Sequence, residues 1–155
     1  MAGEKLNGEV VVGLLHNSMR LEESISQNLL KLFMAEEDLN RRKMLYEFIR
    51  DTHYHKSLIT ECLRFLGSDP LRETHEDRFS NVFDEMFTLQ KMAILRDILT
   101  TMRDFYSFFL EDIEHRGLAE SIDESVAHRL RATVATLYGE KKRQVERVES
   151  LGEVY

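Results

Sequence analysis

The sequence predicts an all-α fold: an antiparallel four-helix bundle with a longer connection between its second and third helices. Three observations carry that prediction. One proline and seven glycines in 155 residues leave few places to break a helix. Strong helix formers (Leu, Ala, Met, Glu, Arg, Lys) fill most positions. Apolar residues recur at three- and four-residue spacing over long stretches, the period of an amphipathic helix. The length suits one domain, spanning 1–155, with a core large enough to need no staples.

The first helix is expected over about 9–33, burying Val11, Leu14, Leu15, Ile25, Leu29, Leu32 and Phe33. Ser18 and Glu22 fall in the same stripe. A turn at Ala35-Glu36-Glu37-Asp38 follows, with Asp38 as N-cap of the next helix. That helix, about 39–66, buries Leu45, Phe48, Ile49, Ile59, Cys62, Leu63 and Leu66, with Thr52 and His55 mid-stripe. Gly67 should close it in a left-handed conformation. Asp69-Pro70 reads as a new helix start.

Residues 70–81 are polar and fit either a crossover segment or the opening turns of a longer third helix. The third helix is dense in apolar residues over about 82–115 and stops at Gly117 after His115 and Arg116. Ser121 to Glu124 matches a capping box for the last helix, about 122–151. Met102, Phe105, Tyr106, Phe109, Leu110 and Ile113 cover a wide arc of the third helix, and Phe108 lies outside it. In a four-helix bundle no helix is central, so Phe105, Phe108 and Phe109 are expected at a homodimer interface. Coverage by the crossover segment is the alternative.

Charge and cysteine content narrow the function. A net charge of -7 argues against phosphate-backbone binding, so no nucleic-acid partner is expected. Lys141, Lys142, Arg143 and Arg147 are interrupted by Glu140, Glu146 and Glu149, as on a solvated face. Cys62 is the only cysteine and reads as a small core residue. No apolar run approaches the ~18 residues of a membrane span, so no membrane partner is expected. Without a signal-peptide pattern at the start of the sequence, a cytoplasmic location is the default.

One constellation could carry chemistry. Glu22 and His55 lie about equally far from the first turn, so they should meet on facing helices, with Asp51 able to hold the imidazole. Di-metal carboxylate bundles need a glutamate on each of two helices and a Glu-x-x-His pair on each of the others. Here Thr52 stands three before His55 where the acid would be, and Glu140 precedes Arg143 at the spacing where histidine would be. Counting from the second turn, the matching level should fall at Leu99 to Met102 and Val134 to Tyr138, where only the Tyr138 phenol is a donor. Metal ligation by Glu22 and His55 therefore competes with a buried polar cluster of Ser18, Glu22, Thr52, His55 and Lys141, in which the ion pair replaces a metal. Glu124 and His128, near Glu111, Asp112 and His115, fit surface charge pairing better than a peripheral metal site. His16, His53, His75 and His128 are expected at the surface or in turns.

Over about 9–151 the chain resembles the ferritin-like superfamily, including rubrerythrin-type proteins. The resemblance lies in helix lengths, hairpin arrangement, Glu22, and His55 in an interrupted Glu-x-x-His slot. It implies a one-crossover bundle, with iron or manganese as the metal if the site is retained. No catalytic residue or cofactor is favoured. The expected function is binding or homo-oligomeric assembly without a complete di-metal site. The alternatives are an atypical metal-dependent oxidoreductase or iron-handling protein, and a helical adaptor with a heterologous protein partner.

Overall fold

The computed structural model describes residues 4–70 and 88–152, and among them the regular structure is four long helices. They are α1 (Gly8–Ala35), α2 (Leu39–Phe65), α3 (Thr88–Arg116) and α4 (Glu124–Gly152). The expected start of α2 coincides with the observed one, and the other expected ends differ by one or two residues. The exception is the start expected at 82, which lies outside the described residues with most of the segment 70–81.

The helix ends follow local chemistry. Asn7 opens α1, its Oδ1 accepting from the Val10 N–H at 2.9 Å. Asp38 caps α2 in the same way, accepting from Arg41 N–H at 2.9 Å. The turn before it is pinned by Glu36, which is buried and accepts from Asp38 N–H and from Arg41 Nε. Past the end of α2, Gly67 has φ +76° and Ser68 N–H donates to the Leu63 carbonyl. A side chain in that left-handed region would cost about 1–2 kcal/mol, which is why glycine stands there. Gly117 ends α3 at the same φ. α4 does not start from the Ser121 box. Its cap is Asp123, whose Oδ1 accepts from Ser125 N–H at 2.9 Å and Ser125 Oγ at 3.1 Å. The chain uses six residues after Gly117 before the helix can begin, so the cap falls later than the motif suggested.

α1 packs chiefly on α2, and α3 on α4, with α2 also touching α4 and α1 touching α3. Ahead of α1, Leu6 forms a parallel bridge with Leu118, its N–H donating to Gly117 O and its carbonyl accepting from Ala119 N–H. The apolar interior divides in two. One cluster gathers Leu15, Met19, Ile59, Leu63, Phe109, Ile113, Leu130 and Leu137 with Leu6 and Leu118. The other gathers Ile25, Leu29, Met44, Phe48, Leu95, Leu99, Met102 and Val145. Along α1 the break falls between Met19 and Ile25, along α2 between Phe48 and Ile59, along α4 between Leu137 and Val145. Each of those gaps holds a buried polar residue.

Replacing the Asp123 cap tests the start of α4. Asp123→Ala should lower stability to urea by about 1 kcal/mol. Ser121→Ala should change it by less than about 0.5 kcal/mol. The reverse order would restore the Ser121 box.

Candidate functional site

At the level where the apolar core divides, Glu22 of α1 is fully buried. Its neighbours come from all three other helices. From α3, the Tyr106 hydroxyl donates to Oε1 at 2.9 Å. From α4, Lys141 Nζ donates to Oε2 at 3.0 Å. From α2, His55 Nδ1 lies 3.7 Å from Oε2, in ion-pair range but beyond a hydrogen bond. The other ring nitrogen, Nε2, lies 3.8 Å from Glu140 Oε2, on a side chain 26% exposed. His55 thus stands between a sealed carboxylate and one that reaches solvent.

Helix periodicity explains why these groups meet. Glu22 sits three residues beyond Met19 and three before Ile25 on the buried stripe of α1, and Lys141 sits four beyond Leu137 on that of α4. The remaining polar side chains are satisfied within their own helices. Ser18 Oγ donates to Leu14 O at 2.9 Å, and Thr52 Oγ1 donates to Phe48 O at 2.8 Å. Ser18, Glu22, Thr52, His55 and Lys141 are all inaccessible to solvent.

The electrostatics follow from the partners. Burial alone would raise the Glu22 carboxyl, but the Lys141 ammonium, followed by His55, holds it down to about 2 from an ordinary 4.5. Burial, then the Glu22 charge and the bond donated to it, push the Tyr106 phenol well above its ordinary 10, against a smaller lowering by Ser18. Tyr106 is therefore a neutral donor and Glu22 an ionised acceptor. The Cys62 thiol is also raised, first by burial. It lies 3.4 Å from Thr133 Oγ1 and is buried in the core, a setting for an inert thiol.

Several expectations need correction. The level on the second hairpin is not Leu99 to Met102 and Val134 to Tyr138: Lys141 reaches Glu22, as its place in the expected polar cluster required, and Tyr106, which was not expected there, joins it. Because α4 begins only at Glu124, the matching position along it moves further down the chain. Asp51 does not hold His55; it faces Arg143 at 3.5 Å, and Glu140 takes its place at the imidazole. His16 is buried rather than at the surface, with Nε2 3.1 Å from Ser68 Oγ. His53 and His128 are exposed, as are Glu111, Asp112, His115 and Glu124. His75 lies outside the described residues.

Of the three phenylalanines expected at an interface, Phe109 is buried in the chain's own core and cannot face a partner. Phe105 is half-buried, packed edge-on against Tyr106 and Phe109. Phe108 alone of the three is open, at 67%. Sequence reasoning missed the roles of Tyr106 and Glu140. A tyrosine within an apolar stripe is itself a signal, because a buried phenol needs a partner.

The donor set does not fit a di-metal carboxylate centre. Both Glu22 oxygens are engaged, one by a phenol and one by a cation 3.0 Å away that would repel a metal ion. Among the described residues, no group of three or more His, Cys, Asp or Glu is arranged to hold a metal. Nor is any helix there long and apolar enough to cross a membrane. Comparison with known proteins gives no matching family model, curated protein or solved structure.

Breaking the pair from one side should cost more than removing both halves. Lys141→Met leaves Glu22 without its cation and should destabilise by about 3–5 kcal/mol in urea unfolding, much of it recovered by adding Glu22→Gln. Equal losses from the single and the double variant would contradict the pairing. Because Glu22 titrates below its ordinary value, its contribution is complete above pH 4.5 and is lost as pH falls toward about 2. That loss should be on the order of 3 kcal/mol, and Glu22→Gln should lack it.

Proposed function

We propose that this chain is a ferritin-like helical bundle whose metal level has been replaced by an internal ion pair, and that it acts through binding and homo-oligomeric assembly rather than redox chemistry. The observation carrying this reading is Lys141 Nζ at 3.0 Å from Glu22 Oε2. A fixed ammonium supplies the positive charge that a metal would supply to a carboxylate in that position, without open coordination sites. Tyr106 on the second oxygen completes the replacement.

The contact register supports an antiparallel bundle with one crossover. Between α1 and α2, Glu23 meets Lys56 and His16 meets Ser68, so rising numbers on one helix meet falling numbers on the other. Glu47 with Arg147 and Glu61 with Arg129 repeat that pattern between α2 and α4. Leu6 beside Leu118, just before α1 and just after α3, and Glu22 beside Tyr106 repeat it for α1 and α3. On this reading α2 and α3 run the same way, and the connection between them returns along the bundle, as in ferritin-like folds with one crossover.

Assembly as a homodimer would use Phe108, 67% exposed beside the half-buried Phe105. A large aromatic in that position gains free energy when covered. The cytoplasm is the compartment that fits a single buried thiol.

Protein purified without chelator should carry well under one equivalent of iron or manganese by elemental analysis; about two ions per chain would overturn the metal-free reading. Sedimentation should give a dimer that Phe108→Asp converts to monomer. A monomeric wild type, or a dimer indifferent to the substitution, would remove the assembly reading.

A further inference from the structure

Eight large apolar side chains are exposed among the described residues, and four of them crowd one corner of the bundle. Leu30 and Met34 stand one turn apart on α1, and Phe33 between them packs on Tyr46 of α2, ring centroids 6.3 Å apart. Leu39 lies two turns before Tyr46 on the same exposed face, just past the turn that joins the two helices. Met34 and Leu39 are 71% and 79% exposed, so the chain's own core does not use them. Cations rim this patch. Arg42, Lys43 and Arg50 fall four before, three before and four after Tyr46, all exposed, and the Arg42 guanidinium stands 4.6 Å from the Phe33 ring centroid. Glu47, next to Tyr46 in the chain, is paired with Arg147, and Glu37 in the turn is the acid at the patch's edge.

Around Phe108 the arrangement has the opposite sign. Asp104, Glu111 and Asp112 fall four before, three after and four after it, all exposed. Asp104 shares its charge with Arg103, whereas Glu111 and Asp112 form no ion pair among the described residues. One open aromatic therefore stands among acids, and another, with aliphatic neighbours, stands among cations. Two copies of Phe108 facing each other would set Glu111 and Asp112 against acids of the same kind, a costly like-charge contact. Against the Tyr46 patch the same acids meet opposite charge. The two faces also point apart: α2 packs on α1 and α4, and α3 on α4 and α1, so α2 and α3 stand at opposite corners. A single partner copy cannot cover both.

We infer that the surface met by Phe108 is the corner formed by Leu30, Met34, Leu39 and Tyr46 on a second copy of this chain, in a head-to-tail contact. The inference rests on the assembly reading above and names the other half of its interface. Phe108 covers the apolar patch, as exposed patches of this kind favour, while Glu111 and Asp112 face Arg42, Lys43 and Arg50 of the next copy. Such a contact is heterologous, since the two copies use different surfaces. Each pair leaves one Phe108 face and one Tyr46 patch open. A dimer is then the first member of a series that stops only where a ring closes.

Sedimentation of the full chain and of two face-specific variants makes the test. Phe108→Asp removes the aromatic of the acidic face and keeps the patch; Met34→Asp combined with Lys43→Glu spoils the patch and keeps Phe108. All three positions are exposed, so both variants should keep the wild-type helix content. Each variant alone should be monomeric, and an equimolar mixture should give a 1:1 dimer that grows no further. Wild type should pass beyond the dimer as concentration rises, and its association should weaken as salt is raised from about 0.05 M to about 0.5 M. A mixture that stays monomeric would overturn the inference. So would a dimer of the Met34→Asp/Lys43→Glu variant that Phe108→Asp still abolishes, because Phe108 would then be pairing with its own kind and the homodimer reading would stand without this one. A monomeric wild type would remove both.

Discussion

Glu22 carries a negative charge where no water reaches, and the surrounding bundle has to compensate it. An ionised carboxylate in an apolar interior costs several kcal/mol unless it is paired and its lone pairs are used. The compensation comes from three other helices at once: an ammonium from α4, a phenol from α3 and an imidazole from α2. Each partner is placed by the apolar residues above and below it on its own stripe. The charge in turn holds the four helices at one relative height. A slip of one turn, about 5.4 Å, would part the pair and leave two buried charges alone.

The division of the core follows from the same constraint. Apolar residues on either side of the polar level form two clusters rather than one. Ser18 and Thr52 bond back to their own helices, so they fill the level without asking for partners across it. Half-exposed ion pairs between α2 and α4, such as Glu47 with Arg147 and Glu61 with Arg129, add at most about 1 kcal/mol each. Register is therefore set mainly inside the bundle.

Periodicity made α1 and α2 readable. Ser18, Glu22, Thr52 and His55 lie on stripes whose other members are apolar, and a helix fixes which residues share a face. Asp38 and Gly67 were legible for a related reason, because caps depend on local backbone chemistry. What periodicity cannot supply is the offset between two hairpins. That offset depends on how many residues a turn consumes, here the six between Gly117 and the start of α4. Counting from the turn therefore landed on Leu99 to Met102 instead of Tyr106. Lys141 was readable as a cation on an apolar stripe, whereas the hydroxyl of Tyr106 was hidden among aromatics. The breadth of the third helix's apolar arc did not reveal that Phe109 turns inward while Phe108 faces out.

The most direct measurement is the ionisation of Glu22 itself, followed through its side-chain carboxyl carbon by NMR in the folded protein as acid is added. A carboxylate held by the Lys141 ammonium stays charged down to pH 3 and below, for as long as the fold survives. Protonation at or above the ordinary 4.5, with the fold intact, would mean that burial outweighs the cation and that no ion pair anchors the bundle.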